Sequence, residues 1–105
     1  MTLPEREHPE AAAEFDAAVH WYEAQEPGIG LALIDRARQA RHDITAWPNA
    51  APQFTTADDE TVIRSKSIRG FPIRIVYARD TVGILILAYA HERREPGYWL
   101  PRLGD

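Results

Sequence analysis

The 105-residue chain contains no cysteine, and that one absence excludes disulfides, Cys-ligated zinc, iron-sulfur clusters and thiol nucleophiles together. No apolar run approaches the roughly 18 residues that a membrane span needs, and the N-terminus MTLPEREHPE lacks the basic-then-apolar layout of a secretory signal. A cytoplasmic protein without membrane association is therefore expected. The four histidines (His8, His20, His42, His91) form no close pair and no ligand spacing such as HExxH, so no metal is expected. His20 and His42 fall on solvent-facing helix positions. The six glycines are dispersed, and Pro27-Gly28-Ile29-Gly30 reads as a turn between helices. Nucleotide-binding folds built on a strand-to-helix glycine loop are thus excluded, and no cofactor is implied. Ser65 and Ser67 lie in a strand pattern without a strained elbow, which makes them polar filling and not nucleophiles.

What is present fits a globular chain: 45% hydrophobic and 27% charged residues, in a length that predicts one domain over residues 1–105. The formal net charge of −4 argues against general nucleic-acid binding, yet the sum hides an asymmetry. Residues 1–60 carry four basic against twelve acidic residues, a balance of −8, whereas residues 61–105 carry eight against four, a balance of +4. Either the basic half meets an anionic partner, or the two halves neutralise each other in the fold.

Apolar residues at Ala12, Phe15, Ala18 or Val19, and Tyr22 predict a helix from Pro9 to about Glu26, with Pro9 in its first turn and Glu10 and Glu14 at the positive end of its dipole. Leu33 or Ile34, Ala37, Ala40, Ile44 and Trp47 mark the apolar face of a second helix, from about Gly30 to Trp47, which Pro48 ends. The short turn between them predicts an antiparallel hairpin. Residues 48–60 mix prolines with small polar and acidic residues and read as an irregular connection. Three strands follow, over Val62–Ile68, Ile73–Ala78 and Ile84–Ala90, the last apolar on both faces as a covered central strand would be. Thr2–Arg6 has the length of a short edge strand but a polar composition, with a donor missing at Pro4.

The basic residues of the strands carry the first candidate chemistry. Arg64 and Lys66, two apart, share a face, and Arg74 on the next strand is expected beside them, so that the cluster needs carboxylates or an anionic ligand. The second candidate is the tail after the last strand: His91 as an acid or base, Arg93 and Arg94 as phosphate holders, Tyr98 and Trp99 as stacking platforms. The competing reading has Tyr98 and Trp99 anchoring the tail against the helix hairpin.

Five segments together resemble the ParE/RelE superfamily of toxins from bacterial type II toxin-antitoxin modules. They are His8-Pro9-Glu10-Ala11, Ala18-Val19-His20-Trp21-Tyr22-Glu23, Pro27-Gly28-Ile29-Gly30, Gly70-Phe71-Pro72-Ile73-Arg74-Ile75-Val76-Tyr77, and Ala90-His91-Glu92-Arg93-Arg94-Glu95-Pro96-Gly97-Tyr98-Trp99. The resemblance implies an α+β fold of order β-α-α-β-β-β, in which a helix hairpin packs on a small, mainly antiparallel sheet. It also implies a cognate antitoxin as partner, in a toxin-antitoxin hetero-oligomer, and either DNA gyrase or ribosome-bound mRNA as target. Arg64, Lys66, Arg74 and Tyr98 match in kind the positions used by the mRNA-cleaving branch, and His91 would complete an acid-base set. Glu92 stands where that branch has an arginine. This departure, the net acidity and the ParE-like ending favour a gyrase-directed toxin that contacts its target through Arg93, Arg94, Tyr98 and Trp99. The alternatives are a ribosome-dependent mRNA endoribonuclease and a degenerate, non-toxic member that only binds antitoxin.

Overall fold

The computed structural model describes residues 3–57 and 61–104. Strand β1 (Glu5–Glu7) leads into helices α1 (Pro9–Gln25) and α2 (Ile29–Ala46). Strands β2 (Gln53–Ala57), β3 (Thr61–Ser67), β4 (Ile73–Arg79) and β5 (Ile84–His91) follow, and a 3-10 turn over Leu100–Gly104 ends the chain. The fold is α+β: the helix hairpin lies on one face of a sheet of order β1-β5-β4-β3-β2, in which only the β1–β5 pair is parallel.

Local chemistry explains the hairpin. His8 caps α1 by accepting the Glu10 N–H on Nδ1 at 3.1 Å, and Pro9 occupies the first turn, where no N–H is needed. Gly28, at φ +96°, makes the reversal, and Gly30 lets the helices meet, because a Cβ there would lie 2.9 Å from the Val19 carbonyl oxygen. The N-cap of α2 has no capping side chain of its own. Instead Glu23, on α1, accepts the backbone N–H of Gly28 and of Gly30 at 2.9–3.0 Å, so one helix supplies the negative charge at the other's N-terminus.

Three expectations about the elements are corrected. Residues 48–60 are not wholly irregular: Gln53–Ala57 pairs antiparallel with β3, since Phe54, Thr55 and Thr56 are β-formers whose signal Pro52 and the acidic triplet mask. Asp58, Asp59 and Glu60 of that connection lie outside the described residues. The first strand is Glu5–Glu7 and not Thr2–Arg6, of which Thr2 lies outside the described residues. Its polar composition suits a three-residue edge held parallel to β5. Trp47 does not join the buried face of α2 but is 70% exposed. It is the C-cap, already off the helical path at φ −134°, ψ 67°, because Pro48 disfavours helical geometry in the residue before it.

The sheet is covered on both faces. Leu33, Ala37 and Ile44 of α2 meet Ile75, Tyr77 and Ile86 on the hairpin side. On the other side Trp99 of the tail packs with Ile63, Val76, Ala78, Leu87 and Ala88. Trp99 is therefore packed, but across the sheet from the hairpin where the sequence reading had put it. Between Val76↔Ala88 and Tyr77↔Ile86 the β4–β5 register skips Leu87. This one-residue bulge turns both Leu87 and Ala88 to the tail side while Ile86 and Tyr89 stay on the hairpin side.

Candidate functional site

The register of β3 and β4 decides what the basic residues can do together. Arg64 lies opposite Tyr77 and Lys66 opposite Ile75, whereas Arg74 lies opposite Ser67. Residues opposite each other share a face, so Arg64 and Lys66 point to the hairpin side and Arg74 to the tail side. The expected single cationic face, with Arg74 beside the other two, is not formed.

Each of the three is held by a different partner. Arg64 donates from Nη1 to the Ala51 carbonyl at 2.8 Å, and Lys66 faces Asp43 of α2 at 3.8 Å. Arg74 lies along β3, donating from Nε to Ser65 Oγ at 2.9 Å, from Nη1 to Ser67 Oγ at 2.7 Å and from Nη2 to the Ser65 carbonyl at 3.2 Å. The serines are thus the seat of an arginine. Lys66 and Arg74 meet only at the edge of β3 that β2 leaves uncovered, where both line a cavity of about 440 Å³ with Trp47, Tyr77 and the two serines.

The tail is organised by Glu14, which lies on the inward stripe of α1. Its carboxylate accepts the Tyr89 backbone N–H at 3.1 Å, the Tyr98 hydroxyl at 2.6 Å and the Arg102 guanidinium at 2.9 and 3.1 Å. Arg102 also donates to the Leu87 carbonyl at 2.9 Å and faces Glu10 at 3.5 Å. Burial and the bond to Glu14 raise the Tyr98 hydroxyl well above the usual phenol range, and Glu14 likewise raises the Arg102 guanidinium. Arg94 stacks on the Tyr98 ring with its guanidinium carbon 3.8 Å from the centroid.

His91 is exposed at the end of β5, and its Nδ1 accepts the Arg93 N–H at 3.1 Å. That bond engages Nδ1 as an acceptor. Arg74, His91, Arg94 and Tyr98 do line one cleft, of about 100 Å³, but Arg64 and Lys66 are not part of it. Arg93 and Arg94 are exposed, Tyr98 is half-buried and Trp99 is buried. Trp99 is therefore unable to stack on a target.

A mostly apolar groove of about 390 Å³ is lined by Ala17, Ala18, Trp21 and Tyr22 of α1 together with Arg94 and Tyr98 of the tail. Among the described residues no group of three His, Asp or Glu side chains is placed to hold a metal ion, and no helix is long and apolar enough to cross a membrane. The chain matches no protein-family model and no curated protein.

Sequence reasoning missed Glu14 as an organising residue, Arg102 as its partner and the serine seat of Arg74. A signal for Glu14 was present: it falls three residues after Ala11 and four before Ala18, on the apolar stripe, where a carboxylate needs a partner.

Proposed function

We propose that the chain is the toxin of a bacterial type II toxin-antitoxin module, of the ParE/RelE kind, that it inhibits DNA gyrase, and that a cognate antitoxin neutralises it in a hetero-oligomer. The order of a short strand, a helix hairpin and a mainly antiparallel sheet supports the family reading, together with the five sequence segments that resemble it. On this reading β2 is an added strand on the β-α-α-β-β-β plan, and the protein acts in the cytoplasm.

The observation that carries the choice of target is that the cleft lined by Arg74, His91 and Tyr98 includes neither Arg64 nor Lys66. Cleavage of RNA at a 2′-hydroxyl needs a base, a leaving-group donor and cations converging on one phosphate. Here only Arg74 of the three strand cations lies in the cleft with His91 and Tyr98, Nδ1 of His91 accepts the Arg93 N–H and the Tyr98 hydroxyl is committed to Glu14. Arg93 and Arg94, by contrast, stand exposed on the tail, Arg94 over the Tyr98 ring, available to a protein surface. An antitoxin segment with an apolar anchor fits the groove over Ala17 and Ala18.

Expression without antitoxin should arrest growth, purified protein should block gyrase supercoiling, and no new mRNA ends should appear. Replacing Arg93 and Arg94 together should relieve the arrest more than replacing Arg64. Cleavage of ribosome-bound message that Arg74→Ala abolishes would overturn the reading in favour of the nuclease. Absence of any growth defect would favour a non-toxic, antitoxin-binding member.

A further inference from the structure

The cavity at the uncovered edge of β3 has a composition that neither the fold nor the proposed target contact explains. Arg74 is held there by three oxygens, two hydroxyl and one carbonyl, all of them neutral. Among the described residues no carboxylate forms an ion pair with it, so these neutral oxygens fix the guanidinium in place without neutralising it. Of its five N–H groups, one on each terminal nitrogen is left over. Ser65 and Ser67 each accept from Arg74, and each retains its own hydroxyl proton for another acceptor. Lys66 lines the same cavity, and its pair with Asp43, at 3.8 Å with both side chains more than a third exposed, is weak and exchangeable. Asp43 also lines the cavity, so two cations and two hydroxyls stand there against one carboxylate, an excess of donors that suits a multivalent oxyanion.

Its other wall is aromatic. Trp47, thrown outward by Pro48, lies 70% exposed beside the cavity, which leaves a flat indole open to stacking. Tyr77 is also among the lining residues, its hydroxyl donating to the Pro48 carbonyl at 2.7 Å. A volume of about 440 Å³ lies within the range of small-molecule sites. An oxyanion joined to a flat ring satisfies both walls at once.

We propose that this cavity binds a free mononucleotide, with its phosphate on Arg74, Lys66 and the hydroxyls of Ser65 and Ser67, and its base stacked on Trp47. The inference does not rest on the toxin reading and stands if that reading fails.

Calorimetric and tryptophan-fluorescence titration of the full chain with AMP, and separately with inorganic phosphate, tests it. AMP should bind saturably and quench fluorescence, and inorganic phosphate should compete. Trp47→Ala should weaken AMP while leaving inorganic phosphate unchanged, because the residue is exposed and touches only the base. Arg74→Lys, which cannot reproduce the planar fork, should weaken both by about tenfold or more, and Lys66→Gln should weaken both by less. Arg79→Gln, an exposed cation at the far end of β4, should change neither. The proposal is overturned if the folded wild type does not bind AMP, or if Arg74→Lys and Lys66→Gln both bind it as wild type does. It is also overturned if a short oligonucleotide binds far more tightly than AMP through the same residues, which would make the site a strand-binding one.

Discussion

At the scale of single residues, Glu14 and Asp80 show how much depends on what a carboxylate faces. Glu14 gathers Tyr89, Tyr98 and Arg102, and the Arg102 side chain retains only 10% exposure. Removing the acid leaves a nearly buried guanidinium without its main partner, so Glu14→Ala should cost about 3 kcal/mol. Glu14→Gln should cost less, since its amide oxygen still accepts from Tyr89 or Tyr98. Urea denaturation of the three proteins checks the order, and equal midpoints would show that the cluster does not hold the tail. Asp80 is the exposed counterpart: the hydrogen bond from Arg6, helped by the Gly83 and Val82 N–H groups, lowers its pKa to about 2. A depressed folded-state pKa gives stability that is present above the ordinary carboxylate range and lost as pH falls from about 4 towards 2. Asp80→Asn should therefore flatten the stability profile in that window, being less stable than wild type at neutral pH and converging with it towards pH 2. A profile identical to wild type would remove the Arg6–Asp80 pair as the cause.

At the scale of elements, the hairpin was legible because α1 and α2 repeat apolar residues at the spacing of one helical face, and because Pro27-Gly28 and Pro48 punctuate them. The strands β3, β4 and β5 were legible within a residue at each end. The division of their side chains between two faces was not. Arg74 was expected beside Arg64 and Lys66, but the pairing register is a property of two strands and leaves no mark on either alone. The Leu87 bulge was equally hidden, since the run Ile-Leu-Ile-Leu-Ala-Tyr-Ala is apolar in either phase. The tail's role follows from that bulge, which turns Leu87 and Ala88 towards Trp99. With Trp99 only 2% exposed, Trp99→Ala should cost about 3 to 5 kcal/mol. A thermal melt checks this. An unchanged midpoint would mean that the tail closes over the sheet without contributing to its stability.

At the scale of the whole molecule, the acidic first part of the chain and the basic second part are joined by the fold and not merely set side by side. Lys66 faces Asp43, Arg102 faces Glu10 and Glu14, and in the opposite sense Arg6 of the first part pairs with Asp80 of the second. Part of the asymmetry that pointed to an anionic partner is thus answered internally, which leaves Arg69, Arg79, Arg93 and Arg94 as the exposed arginines of the second part and Arg74 half-buried on neutral oxygens. The molecule has a radius of gyration of 13.3 Å, well inside the Debye length of about 30 Å at 0.01 M salt and larger than the ~8 Å at 0.15 M. Unfolding separates the two oppositely charged parts, so at low salt their attraction favours the folded state across its whole width. Raising salt over that range screens it, and the urea midpoint should fall by an amount corresponding to about 1 kcal/mol. The net charge of −4 acts in the other direction, because screening relieves self-repulsion. A midpoint that rises with salt would show that self-repulsion outweighs the attraction between the two parts, and that the cross-chain pairs contribute position and not stability.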